Sequence, residues 1–320
     1  MMGSKINPKI YSALGQGGSM FGITLPDMVR ERDNVVVLSA DMSTPAGLDK
    51  FKSLYPDKFL NLGIAEQNMI GIAAGLTDEG YKTISVAQAC FISMRSFEPV
   101  RQFLGYMRSN QILVGIASGF SLSYFGNTHY ALEDIALMKT IPNMTVIAPC
   151  DALEAMKAFK AAVEMDSPVY IRLYGGTATP IVYHEDFDFQ VGKSVILREG
   201  KDLQIIATGS MVHIAMRVAE FLSEKGVLAS VVDMHTVKPL DVEVIDLNTP
   251  FIVSLEEHRI VGGMGDSLSD YLSQYDSHPK FLKIGASDSF SIVGDYPYML
   301  EKNGLSTDKV VERIMSFINR

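Results

Sequence analysis

The sequence has no tryptophan and only two cysteines in 320 residues, Cys90 and Cys150. Two thiols cannot brace a chain of this length, so no disulfide framework is expected and a reducing compartment is. Neither belongs to a C-x-x-C pair, and no His/Cys cluster has zinc spacing, so both read as small apolar packing residues and no metal ligand is assigned. Positive charge is also short: 28 Lys and Arg face 37 Asp and Glu, a formal net charge of −9. Without a basic run to offset it, that balance argues against a nucleic-acid surface. Apolar runs are short and broken, so no membrane span is expected. The opening MMGSKINPKI has no apolar h-region and no cleavage site. The expectation is a soluble cytoplasmic protein. No G-x-x-x-x-G-K-[ST] and no G-x-S-x-G occur, which removes P-loop and nucleophile-elbow chemistry. GGMGDSL at 262–268 resembles a glycine-rich anion cradle, but Leu268 stands where the third glycine belongs.

What is present is alternation. With 47% hydrophobic and 20% charged residues the chain can bury the cores of two domains. VVVLSA (35–40), TISVAQ (83–88), QILVGIAS (111–118), TVIAPC (145–150) and VYIRLY (169–174) are short runs rich in β-branched residues. Helical patterns over 66–79, 96–108, 131–140 and 151–166 separate them. Asp151 with Glu154 three residues on reads as a capping box. β-α alternation predicts a parallel sheet covered on both faces. The pattern lapses over 175–200, with a short strand expected at 194–197, and then resumes. LQIIAT precedes a helix at 210–225, ASVVDM a helix near 241–247, FIVSLE a helix from about 264, and KFLKIGA a closing helix at 307–318 capped by Ser306 or Thr307. The expected fold is α/β with two doubly wound sheets: a first domain over 1–180, a linker over 181–198 and a smaller domain over 199–320.

Ligands of open α/β sheets bind beyond the carboxyl ends of the strands. Several unusual residues fall there. Asp41 and Met42 follow VVVLSA, Glu66 follows KFLNLG, Phe91 follows TISVAQAC, and His129 closes FGNTH beyond QILVGIAS. Each has a plain alternative: Glu66 favours a helix N-terminus, Asp41 could cap a loop, Phe91 could be core, and His129 could be a solvated loop residue.

In order along the chain, NLGIAEQNMIGIAAGL, GNTHYALEDIALMKTIPNMTVIAPCD, VVDMHTVKPLD and EEHRIVGGMGDSLSDYL resemble the C-terminal half of a transketolase, as found in two-chain bacterial transketolases. The resemblance runs from about residue 15 to the end. It implies a thiamine diphosphate pyrimidine-binding domain followed by a transketolase C-terminal domain, and a transferase role in carbohydrate metabolism. Glu66 matches the glutamate that bonds N1′ of the aminopyrimidine, Phe91 the aromatic that stacks on that ring, and Met42 the apolar residue that props the bent cofactor. Asp41 and Ile64 join them as cofactor-side residues. His129 matches the histidine of the family's G-P-T-H motif, here Gly126-Asn127-Thr128-His129.

The same resemblance marks what is missing. The family holds the diphosphate through Mg²⁺ on a Gly-Asp-Gly motif, which this sequence lacks. The implied partner is an N-terminal-half subunit carrying that Mg²⁺ site, in a heterotetramer. Family positions that hold the sugar phosphate read here as Gly175 and Ala117, GQGGSMFG has no arginine, and the acidic residue that contacts a sugar hydroxyl in the family reads here as Phe125. A substrate that is not simply phosphorylated is therefore expected. Arg172, three residues before Gly175, is expected to point elsewhere. Other readings are a 2-oxo-acid dehydrogenase beta-type subunit, a deoxyxylulose phosphate synthase relative, a non-catalytic subunit that keeps the fold, and a plain nucleotide-binding doubly wound protein.

Overall fold

Short β-branched runs separated by amphipathic helices bury their backbones best in parallel sheets covered on both faces. The computed structural model of the chain describes residues 7–175, 179–290 and 292–319 and contains that arrangement twice. The strands are β1 (Val35–Ser39), β2 (Phe59–Asn61), β3 (Lys82–Gln88), β4 (Gln111–Ser118), β5 (Thr145–Ile147), β6 (Val169–Tyr174), β7 (Val195–Arg198), β8 (Leu203–Ala207), β9 (Ala229–Asp233), β10 (Thr236–Lys238), β11 (Phe251–Arg259) and β12 (Lys280–Ala286). The first sheet has the order β10-β5-β6-β4-β3-β1-β2, and the second β12-β11-β8-β9-β7. All pairings are parallel except β10 on β5 and β7 on β9. β1, β3 and β4 are buried along their whole length, as strands covered on both faces must be. Residues 1–6 and 176–178, the latter in the stretch where alternation lapses, lie outside the described residues. Among the described residues no helix is long and apolar enough to cross a membrane.

The helix Glu66–Asp78 buries Met69, Ile70, Ala73 and Ala74, with Ile72 and Leu76 packed at the margin of the core. Asp151 caps the helix Ala152–Glu164 by accepting from the Glu154 amide at 2.9 Å, and the Glu154 carboxylate accepts from the Cys150 amide at 2.7 Å. Ser306 holds the N-cap position of the closing helix Thr307–Ile318 without a side-chain cap.

Two expectations need correction, and one strand was not foreseen. Residues 241–247 form turns instead of a helix. Distant groups hold the segment: Asp241 accepts from the Ser194 amide, and Gln204 takes up the Val244 carbonyl and the Asp246 amide that a helix would use. The expected helix at 96–108 is a single α-turn, Phe97–Val100, between two π-turns, Phe91–Arg95 and Arg101–Tyr106. The unforeseen strand is β10. Its three residues, Thr236–Lys238, leave the second sheet and pair with β5 of the first. No periodicity can develop in so short a run. The Lys238 ammonium fixes the excursion by donating to the carbonyls of Lys139 and Ile141.

Cys150, Glu154 and Asp233 meet at this seam, all buried, with polar atoms within 4.8 Å of one another. Tyr183 donates to Asp233 at 2.8 Å, and Asp233 also shares hydrogen bonds with Glu154 and Cys150. Burial pushes the Glu154 carboxyl and the Cys150 thiol well up, and Asp233 up to about 6. A carboxyl raised on folding weakens the fold as pH rises through its folded pKa, because the native state must then hold a buried charge. Asp233→Asn should therefore raise the melting temperature at pH 8, by on the order of 1–3 kcal/mol of stability, with the gain fading toward pH 4. Thermal denaturation of the two proteins across that range checks it; a gain independent of pH would contradict the assignment.

Candidate functional site

The chain leaves β1 through Asp41, which adopts a left-handed backbone with φ of 58°. Asp41 and Asn61 exchange two hydrogen bonds of 3.0 and 3.1 Å, and Asn61 also accepts from the Gly63 amide. These bonds tie the loop after β2 to the end of β1. Ile64 is on that loop and 76% exposed. Two residues later Glu66 begins its helix, 3% exposed. Beyond β3, the π-turn Phe91–Arg95 opens the backbone just past the strand end, as such turns often do at functional sites.

This turn brings the predicted residues together through one that sequence reasoning missed. Nη1 of Arg95 donates to both oxygens of Glu66, at 3.0 and 2.9 Å. The same guanidinium lies over the Phe91 ring, 4.1 Å from its centroid. Phe91 meets the edge of His129 at 5.4 Å between centroids, and His129 meets Phe125 at 5.0 Å. Thr128 Oγ1 lies 2.8 Å from Nδ1 of His129. Glu66, Arg95, Phe91, His129 and Phe125 thus form one continuous line at the carboxyl ends of β3 and β4. The available signal for Arg95 was its spacing, four residues after Phe91 and so about one turn on. The neighbouring Cys90 thiol is pushed up to about 12 by burial and by Asp134, so it offers no nucleophile.

Met42 instead lines an adjoining cavity of about 300 Å³, with Gly17, Gly18, Ala117, Leu122 and Gly175. Among the described residues around it there is no carboxylate, ammonium or guanidinium. At two of the lining glycines the packing leaves no room for a side chain. A Cβ on Gly175 would stand 2.9 Å from Cβ of Ser121 and 3.1 Å from Cα of Ala117, and a Cβ on Gly17 would meet the Ala46 carbonyl oxygen at 2.6 Å. A larger open cleft of about 560 Å³, lined by Asp27, Arg32, Lys160 and Glu164 among others, mixes both signs of charge at the opposite ends of the strands.

Arg172 does point elsewhere. It is 4% exposed, and its Nε donates to Asp134 at 2.8 Å while Nη2 donates to the carbonyls of Ala131 and Glu257. Tyr170 donates to the same oxygen of Asp134 at 2.8 Å. The glycine-rich GGMGD segment is also used internally. Its amides at Met264 and Gly265 donate to the Glu256 carboxylate at 2.7 and 2.8 Å, so the chain supplies its own anion at that helix N-terminus.

Two α/β domains, the first with a buried carboxylate, an aromatic face and a histidine at its strand ends, define a protein of the pyrimidine-binding class. Residues 18–176 match the transketolase pyrimidine-binding domain and residues 192–310 the transketolase C-terminal domain. The chain belongs to the transketolase family, as a subunit of the size of its separate C-terminal sections. It is 35% identical to an apulose-4-phosphate transketolase subunit of Phocaeicola vulgatus, over 94% of this chain and 96% of that one. It is also 35% identical to the 6-deoxy-6-sulfo-D-fructose transketolase subunit SqwH of Clostridium sp., over 90% and 89%. A solved structure described as a split gene transketolase, inactive beta4 tetramer, superposes with a TM-score of 0.85 at 34% identity, covering 96% of this chain and 98% of that one. Membership implies dependence on thiamine diphosphate, and the split-chain relatives imply a partner chain.

The setting of Arg172 makes a specific expectation. Arg172→Met leaves Asp134 as a buried, unpaired charge, a loss of about 3–5 kcal/mol. Denaturant unfolding should show that loss. Unchanged stability with impaired turnover would place Arg172 against substrate instead.

Proposed function

We propose that this chain is the pyrimidine-side subunit of a split, thiamine diphosphate-dependent transketolase that transfers a two-carbon ketol unit, with its active site between subunits. The observation that carries this reading is the placement of buried Glu66 opposite the face of Phe91. The space between them already holds a flat group that donates N–H bonds to the carboxylate and stacks on the ring. An aminopyrimidine protonated at N1′ offers the same features. When bound, thiamine diphosphate supplies a nucleophilic carbon and an electron sink for cleaving the bond beside a ketose carbonyl.

Each residue then has a task. Glu66 holds a proton at N1′ and so favours the imino form of the ring, Phe91 stacks on its face, and Met42 supports the cofactor from its apolar side. Asp41 and Ile64 shape the approach, Asp41 through its bonds to Asn61. His129, held by Thr128, faces the substrate and moves protons at its oxygens. The diphosphate and Mg²⁺ fall to the partner chain, because no Gly-Asp-Gly motif is present in this sequence. Ile64, Tyr124, Phe125, Phe290 and Val293 are all more than half exposed near the site, which suits coverage by that partner in a heterotetramer.

Replacing the Glu66 carboxyl removes one placed acid/base group, worth about 10²–10⁴-fold in rate. In the complex reconstituted with the partner chain, Glu66→Gln should lose turnover to that extent with assembly intact. Hydrogen–deuterium exchange at C2 of the bound cofactor reads the step directly, and exchange at the wild-type rate would refute the role.

The cavity beside Met42 accommodates the distal end of the substrate. The absence of a cation among the described residues that line it, and its tight glycine contacts, support a substrate that is uncharged there, since a dianion buried without cationic partners pays a heavy desolvation penalty. On the reconstituted complex, unphosphorylated ketoses should be turned over at least as efficiently as xylulose 5-phosphate. A large preference for xylulose 5-phosphate over every uncharged donor would show that the partner supplies the missing cations.

A further inference from the structure

Arg95 is placed where a ligand should be. Its guanidinium is flat, carries N–H donors directed at both oxygens of Glu66, and covers the face of Phe91 at 4.1 Å. A ring bound to Glu66 and stacked on Phe91 needs those same two surfaces, and they cannot serve both groups at once. The side chain is 44% exposed, so a route into solvent is open to it. Its backbone is held separately, by the π-turn and by Gln67, whose side-chain amide donates to the Arg95 carbonyl at 2.9 Å. Withdrawal therefore requires side-chain rotation and no refolding of the turn.

We infer that Arg95 is a built-in placeholder: it closes the Glu66–Phe91 site while that site is empty and must swing out for an aminopyrimidine ring to enter. This rests on the reading that Glu66 and Phe91 bind the ring. The physical advantage is that a buried carboxylate would otherwise wait for its ligand unpaired, a costly state. With Arg95 present the carboxylate stays paired and oriented. The consequence is weaker ligand binding, since apparent affinity falls by the fraction of sites that are open. If about one site in ten is open, removing the guanidinium tightens binding about tenfold.

The test is calorimetric titration of thiamine diphosphate with Mg²⁺ into the reconstituted two-chain complex, comparing wild type, Arg95→Ala and Arg95→Met. The methionine variant keeps an apolar stem over Phe91 but has no donor, which guards against local collapse in the alanine variant. Both variants should bind about tenfold or more tightly than wild type. Unchanged or weaker binding in both variants overturns the placeholder and makes Arg95 a fixed part of the site. Glu66→Gln, titrated alongside, separates the two levels. If it weakens binding while the Arg95 variants do not tighten it, only the placeholder fails. If Glu66→Gln and Phe91→Ala both bind as wild type does, the underlying site reading fails with it.

Discussion

The arrangement depends on one buried guanidinium. Arg172 extends from β6 toward the second sheet and is satisfied by Asp134, by the Ala131 carbonyl and by the Glu257 carbonyl on β11. Both charges of the pair are almost fully out of water, with side chains 3% and 0% exposed. Such a pair contributes little net stability but is costly to break, so it fixes position more than it adds strength. What it fixes is the loop after β4. Gly119 and Ala131 bridge across that loop's base, and the segment between them carries Phe125, Thr128 and His129. The histidine is therefore placed by a charge buried behind it in the seam between the sheets.

The same seam is unusually polar for an interior. Glu257 accepts from the Phe120 amide at 2.6 Å, from Tyr296 at 2.7 Å and from Ser210. Burial pushes its carboxyl up, while Ser210 and Arg172 draw it down. The Glu154–Asp233 contact repeats the theme on the far side, beside β10. Buried polar contacts of this kind penalise alternative packings more than they stabilise the correct one, because any shift leaves a group unsatisfied. A site assembled from the ends of separate strands gains from that constraint, since small displacements of its members would separate them.

Glu66 and the glycine-lined cavity differ in how they are made. Glu66 is a group added at a strand end and kept available by a neighbour that can leave. The cavity beside Met42 is defined by subtraction, its walls drawn so close at Gly17 and Gly175 that no long cationic side chain can start there. In the proposed function the first would serve the cofactor, and the second would set this subunit's half of the substrate site apart from a phosphate-binding one.

Much of this was legible in the residues. Alternation of β-branched runs with amphipathic helices determined two α/β units, because period and burial are local properties of the chain. Strand-end positions then singled out Glu66, Phe91 and His129, and the family resemblance gave them roles. The cap at Asp151 was visible because its partner lies three residues away. Tertiary structure alone decided the rest. β10 crosses to the other sheet because β5 offers a free edge, which nothing in three residues can announce. Residues 241–247 follow bonds to Ser194 and Gln204 instead of a helical pattern, and those bonds reach across segments far apart in the chain. Arg95 drew no notice in the sequence because an arginine one turn after a phenylalanine is ordinary; only the fold sets Glu66 opposite it. Local periodicity is written within a few residues, whereas a contact between strand ends depends on chain segments that meet only when both sheets have closed.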